Sequence, residues 1–300
     1  MSEGRFLTVR YWGTRGSIPT PGDTTVRYGG NTSCVEIRAG DARIILDAGT
    51  GIRLLGDRLS RGAGPKRACI FLTHFHWDHV QGFPFFIPAY DPDFHLRIFG
   101  PVQKDVGLEE LIRRQMGPIT FPIPYETLAA NITYHPLNSG SWAEDPIQVH
   151  ALRVRHTCFT VGYRVEAFGR SVVFIPDNEL KGGKYPVPSG WEHDFLSFVS
   201  GADLLIHDAT FTSQEYVAKE GWGHSTFQQA LELAEGAGVS ALHFFHHSPH
   251  RSDEELEGIV QRKKDDAAAR GLRLEVEAAA ENTEFCLEES PPSTGRINPY

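Results

Sequence analysis

The chain has 300 residues, 40% hydrophobic and 22% charged, which provides for a substantial core in one large domain or two small ones. Its 29 Lys and Arg stand against 38 Asp and Glu, a net charge of −9, and no dense basic block interrupts that balance. This argues against a broad nucleic-acid surface, where phosphate neutralisation would dominate affinity, and favours small substrates.

The N-terminus runs from Met1-Ser2-Glu3-Gly4-Arg5 into the strand-like Phe6-Leu7-Thr8-Val9 without the pattern of a secretory signal. No apolar run approaches the roughly 20 residues of a membrane span, so a cytoplasmic location is expected. Strands are expected at 6–12, 34–38 and 43–47, where β-branched and aromatic residues are broken by glycines. Cys69-Ile70-Phe71-Leu72-Thr73 reads as a strand buried on both faces. Residues 83–124 are rich in Pro and Phe and read as a packed, irregular insertion able to wall a pocket, with a helix at 108–116. Further strands are expected at 149–156, 161–165, 171–175, 204–207 and 241–245. Helices are expected at 192–199, 226–237 and 253–269, the last opened by Ser252 and Glu255 at capping-box spacing. The alternation fits an α/β class in a single domain over 1–287, with a polar tail at 288–300. Cys34, Cys69, Cys158 and Cys286 form no C-x-x-C pair and read as reduced thiols.

The 14 histidines are the unusual count, and Thr73-His74-Phe75-His76-Trp77-Asp78-His79 concentrates them at the end of a buried strand. Imidazole with carboxylate is a nitrogen and oxygen donor set suited to zinc, and also to manganese or iron. His74 and His76, two apart, share a face in extended backbone, while Asp78 and His79 are placed to serve a second ion once the chain turns helical. The hexapeptide resembles the His-x-His-x-Asp-His signature of the metallo-β-lactamase fold superfamily. Trp12-Gly13-Thr14-Arg15-Gly16-Ser17, Tyr28-Gly29-Gly30-Asn31-Thr32-Ser33-Cys34 and Leu46-Asp47-Ala48-Gly49-Thr50-Gly51 are similar to its ribonuclease Z-like and phosphodiesterase-like branch. The resemblance implies an αββα four-layer sandwich with two mixed sheets between helices. It implies His74, His76 and His156 on a first divalent ion, and Asp78, His79 and His246 on a second, with Asp177 bridging. His247 is the rival to His246. Zinc is the expected metal, with Mn2+ or Fe2+ as alternatives.

Ile206-His207-Asp208-Ala209-Thr210-Phe211 and Gly223-His224-Ser225-Thr226 are similar to two motifs of the same branch, Asp208 standing where Glu is usual. The resemblance makes His224 the general acid, supported by Asp208. Two ions of this kind supply a shared hydroxide nucleophile, and Asp78 joins the catalytic set through its ion. A leaving alkoxide then needs a proton, which a positioned imidazole supplies near neutral pH. The expected function is therefore hydrolysis of a small or cyclic phosphodiester. Ribonuclease Z carries a tRNA-gripping arm between its third metal histidine and its bridging aspartate, whereas His156 and Asp177 here leave room for a strand pair only. The alternatives are a nuclease of the ribonuclease Z type, a thioester or lactone hydrolase, and an iron-dependent redox enzyme on the same fold. Arg15, Asn31 and Thr32 are weaker candidates for phosphate contact, and a homodimer is in keeping with the branch.

Overall fold

The computed structural model describes residues 5–290 apart from 105 and 183. The first half of the chain lays down β1 (Phe6–Gly13), β2 (Cys34–Ala39), β3 (Ala42–Leu46), β4 (Arg67–Phe71), β5 (His95–Gly100) and β6 (Asn131–Pro136). The second half lays down β7 (Gly140–Glu144), β8 (Ile147–Val154), β9 (Thr160–Ala167), β10 (Arg170–Ile175), β11 (Leu204–Asp208), β12 (Ala241–Phe245) and β13 (Glu275–Ala278). A last strand, β14 (Glu284–Glu288), returns to pair antiparallel with β1. Two seven-stranded sheets result, ordered β14-β1-β2-β3-β4-β5-β6 and β13-β12-β11-β10-β9-β8-β7. Each mixes antiparallel and parallel pairs, with β3 to β6 parallel in one and β10 to β13 parallel in the other.

Alternation along the strands gives the sandwich three apolar layers. Between the sheets, Leu7, Val9, Val35 and Phe71 meet Tyr163, Phe174, Ile206 and Phe245, all buried. Outside the second sheet, Val173, Leu205, Leu242 and Phe244 pack under α4 (Trp191–Val199), α6 (Phe227–Ala237) and α7 (Asp253–Ala269). Outside the first, Ile45, Ile70 and Ile98 pack under α1 (Ile52–Arg61) and α3 (Leu108–Gln115). This is the expected αββα sandwich. Helices α6 and α7 open on full capping boxes, Thr226 with Gln229 and Ser252 with Glu255, which satisfy N–H groups that the helix itself leaves unpaired.

Three expectations change. The strand at 69–73 ends at Phe71, because the Thr73 amide donates to the Asp47 carboxylate at 2.8 Å instead of continuing the ladder. Residues 83–124 are not an insertion: β5 lies within them, paired on both sides with β4 and β6, and Phe83 and Phe86 belong to the core under the first sheet. The tail begins after β14, whose last residue is Glu288, and its residues 291–300 lie outside the described residues, as do the first four of the N-terminal reading. Among the described residues no helix is long and apolar enough to cross a membrane.

Candidate metal centre

Parallel strands that enter the sandwich side by side deliver their following loops to one edge, and the candidate residues all stand there. His74 and His76 follow β4, and Asp78 and His79 lie on the single-turn α2 (Trp77–Val80). His156 follows β8 and Asp177 follows β10. Asp208 ends β11, His224 precedes α6, and His246 follows β12. Although separated by up to 172 positions, they close into one cluster of overlapping donor triads: His74, His76 and His156; Asp78, His79 and His246; and Asp177 with His74 and His79 or with His156 and His224.

The donor atoms are specific. His74 Nε2 and His156 Nε2 stand 2.9 and 3.1 Å from His76 Nδ1. Asp78 Oδ2 stands 3.3 Å from His79 Nε2 and 3.2 Å from His246 Nε2. Asp177 reaches both groups, with Oδ2 at 3.0 Å from His79 Nε2 and Oδ1 at 3.5 and 3.6 Å from His246 Nε2 and His156 Nε2. Nitrogen and oxygen donors held at about 2.0–2.1 Å on one tetrahedral zinc stand roughly 3.3 Å apart, so these spacings fit a metal's ligand shell. Buried His79 Nε2 and Asp177 Oδ2 have no hydrogen-bond partner among the described residues, although they face each other. Buried polar atoms left so call for another partner, and a cation between them fits.

The other ring nitrogen of each histidine is tied from outside. His79 Nδ1 donates to Asp47 Oδ2 at 2.7 Å, and His156 Nδ1 to the Gly223 carbonyl at 2.8 Å. His74 Nδ1 lies 3.0 Å from Thr73 Oγ1, His246 Nδ1 3.0 Å from Thr210 Oγ1, and His76 Nε2 3.3 Å from Thr157 Oγ1. Such outer partners fix tautomer and ring direction. Asp47 and His246 sit at φ of 61 and 58, left-handed conformations that are costly for side-chain-bearing residues and cluster at functional sites. At Gly16 a Cβ would stand 2.3 Å from the His246 ring, so this position of the Gly-rich turn admits glycine alone.

Charge in the cluster is set by burial against close carboxylates. Burial pushes His74 and His76 down, and His156 to about 4, so these three stay neutral and keep lone pairs. Burial works against ionised Asp78, but His79 and His246 hold it well below the ordinary carboxylate range; His246, His79 and His156 do the same for Asp177. His79 runs the other way. Burial opposes its charge, yet Asp78, Asp177 and Asp47 lift it well above the ordinary imidazole value, an excess of negative charge that a cation neutralises.

His224 stands beside this group. Its Nδ1 is 2.9 Å from Asp208 Oδ2, its ring lies 4.8 Å from that of His246, and 13% of its side chain is exposed. Burial would lower its pKa, but Asp208 first, then Asp177 and Asp78, lift it to about 9. Asp208 is fully buried and also accepts from Asn178 N, Thr210 N, Thr210 Oγ1 and Ser225 N. His247 faces away: its Nε2 donates to the Ala279 carbonyl at 2.8 Å, so of the two neighbours His246 alone joins the cluster. The weaker candidates serve the framework. Arg15 is fully buried and donates to the carbonyls of Gly29, Ser248 and Arg251. Asn31 bonds Glu281, and Thr32 exchanges hydrogen bonds with Thr50.

Sequence reasoning missed Glu179, Thr210 and the full part of Asp47. Glu179 is buried and binds the turn before His224. The available signal was the polar run Asp177-Asn178-Glu179 directly after a buried strand.

Residues 42–247 match a family described as the beta-lactamase superfamily domain, and the chain belongs to that superfamily as a metallo-β-lactamase-fold hydrolase. It is 26% identical over 289 residues to ribonuclease Z of Picrophilus torridus, covering 83% of this chain and 88% of that one. Among solved structures it is similar to the metallo-beta-lactamase fold protein YhfI of Bacillus subtilis, at 18% identity and TM-score 0.67, covering 94% of this chain and 100% of that one. It is also similar to a diphosphatase of the PhnP family, at 17% identity and TM-score 0.64, covering 93% and 97%. The last two likenesses are of fold.

Proposed function

We propose that this protein is a binuclear metal-dependent phosphodiesterase acting on small or cyclic phosphodiesters. The observation that carries the proposal is the His224 imidazole, fixed by Asp208 at the open edge of the donor cluster. His74, His76 and His156 would hold one divalent ion, Asp78, His79 and His246 a second, and Asp177 both. When bound, such ions act as Lewis acids toward phosphoryl oxygens and lower the pKa of water towards neutrality.

The protein's own residues do the rest. Asp78 and Asp177, held ionised, supply the anionic donors. Asp208 accepts the Nδ1 proton of His224 and so aims Nε2 outward, from where it delivers a proton to the departing oxygen. Hydrolysis of a lactone or an activated thioester has less need of a dedicated acid, which favours a diester. The segment between His156 and Asp177 favours a small substrate. It is a plain antiparallel pair, β9 with β10, turned at Phe168 and Gly169, with no arm to grip a long RNA. The net charge of −9 supports the same choice.

The ribonuclease Z relatives support a second reading, cleavage of an RNA precursor. Parallel turnover of 2′,3′-cyclic nucleotides and of a 3′-extended tRNA tests the two. The proposal expects the small diester to be hydrolysed with the higher kcat/KM. Preferential cleavage of the tRNA would replace it with the second reading.

A further inference from the structure

Two residues beyond Asp177, the Glu179 side chain turns away from the metal cluster, yet it is wholly buried. Its Oε1 accepts from Gly221 N at 2.6 Å and lies 2.7 Å from the Tyr216 hydroxyl, which it shares with the Lys181 carbonyl. Its Oε2 accepts from Gly223 N at 3.0 Å. Gly221 and Gly223 are left-handed, with φ of 81 and 87, so the turn aims the amides of two alternate residues at one anion. The Glu179 amide itself donates to the Arg155 carbonyl at 2.7 Å, on the residue before His156.

These bonds close a circuit. Arg155 fixes the Glu179 backbone, and the Glu179 carboxylate fixes the turn at Gly221 and Gly223. The Gly223 carbonyl then accepts His156 Nδ1 at 2.8 Å, and the next residue is His224. Contact is tight, since a Cβ at Gly223 would stand 2.5 Å from His156 Nδ1. A shift of the turn by a fraction of an ångström would therefore rotate one donor imidazole and displace the acid together.

We propose that Glu179 is the positioning residue of this site, setting the ring direction of His156 and the place of His224 through the 221–223 turn. The inference rests on the reading of His156 as a metal donor and His224 as the acid. A carboxylate suits the position because every neighbour donates. A glutamine there would turn its NH2 group against one of the glycine amides, a clash of donors at a position that is fully buried.

The test compares wild type with Glu179→Gln for zinc affinity, by chelator competition, and for turnover of two diesters. Bis(p-nitrophenyl) phosphate expels an anion that needs little protonation, whereas diphenyl phosphate leans on the acid. Glu179→Gln is expected to bind zinc about 10–100-fold more weakly, as for the loss of other partners that orient metal donors. Its kcat is expected to fall about 100-fold on diphenyl phosphate and less than about 10-fold on bis(p-nitrophenyl) phosphate. Tyr216→Phe, which removes one donor and leaves both glycine contacts, gives the same pattern at about threefold, and it carries the comparison if Glu179→Gln does not fold. Unchanged zinc affinity with equal losses on both diesters, in folded protein, would overturn the proposal. If wild type hydrolyses neither diester, the phosphodiesterase reading fails while zinc affinity still decides the role of Glu179 toward His156.

Discussion

The Asp47 carboxylate accepts the His79 Nδ1 proton at 2.7 Å, 32 residues away in sequence, and joins the end of β3 to the turn that carries the donor cluster. The same buried carboxylate accepts from Ser33 Oγ at 2.8 Å and from Thr73 N and Oγ1 at 2.8 and 3.0 Å. It is thus the residue that ends β4 where His74 begins, and the residue that aims His79. Replacing it with Asn puts an NH2 group among donors. Asp47→Ala is expected to lower metal affinity about 10–100-fold, and isothermal titration of the metal-free protein with zinc checks it. An affinity equal to wild type in folded Asp47→Ala protein would refute the part assigned to Asp47.

His224→Ala is expected to retain the metal of wild type while kcat on an unactivated diester falls about 10²–10⁴-fold. Asp208→Asn is expected to follow it in direction, because an amide cannot satisfy the Nδ1 proton and the three backbone and hydroxyl donors of Thr210 and Asn178 together. Metal content by atomic emission, measured with turnover, separates loss of the acid from loss of the ions.

The adjacent pair His246 and His247 should separate cleanly. His246→Ala removes a donor shared with Asp78 and is expected to lose one equivalent of bound metal. His247→Ala leaves the Ala279 carbonyl without its partner inside the core and is expected to cost about 1–3 kcal/mol of stability with metal stoichiometry unchanged. The same loss of metal in both variants would contradict the geometry.

His243 makes stability depend on pH apart from the site. Its ring packs against Tyr11 and Phe285, and Nδ1 accepts from the Tyr11 hydroxyl at 2.6 Å. Burial lowers its pKa from 6.5 to about 4, so the unfolded chain binds the proton more readily. Its contribution is full above the unfolded pKa of 6.5 and is lost as pH falls towards 4. The loss amounts to about 3 kcal/mol over that window. Urea unfolding midpoints between pH 4 and 8 should decline less steeply in His243→Phe than in wild type. Parallel curves would show that His243 titrates as it does in the unfolded chain.

The elements legible in sequence are those whose pattern is local. β12 and α7 begin and end where they were expected, since 241–245 is a nearly unbroken apolar run and Ser252 with Glu255 marks a helix start. Two strands of the first sheet, the edge strand β14 and the interior strand β5, were not legible. β14 alternates exposed Glu284, Cys286 and Glu288 with half-buried Phe285 and Leu287, and β5 is hidden among prolines and phenylalanines. Helix α1 carries Gly56 in its interior, a poor helix former placed there because Phe86 packs on it, with a Cβ reaching 2.9 Å from that ring. His74, His76, Asp78 and His79 were legible as a cluster because they lie in one short motif, whereas His156, Asp177 and His246 were placed by the family resemblance. The supports of these donors were not legible: Glu179 meets Gly221 across 42 residues and Arg15 meets Arg251 across 236, pairings that depend on the finished sandwich.

Turnover of bis(p-nitrophenyl) phosphate by metal-stripped protein, reconstituted separately with zinc, manganese and iron, decides whether this is a binuclear phosphodiesterase. No turnover is expected without metal, and hydrolysis is expected to return at two metal equivalents per chain. A folded protein that takes up two equivalents and hydrolyses no phosphodiester with any of the three metals would contradict that assignment.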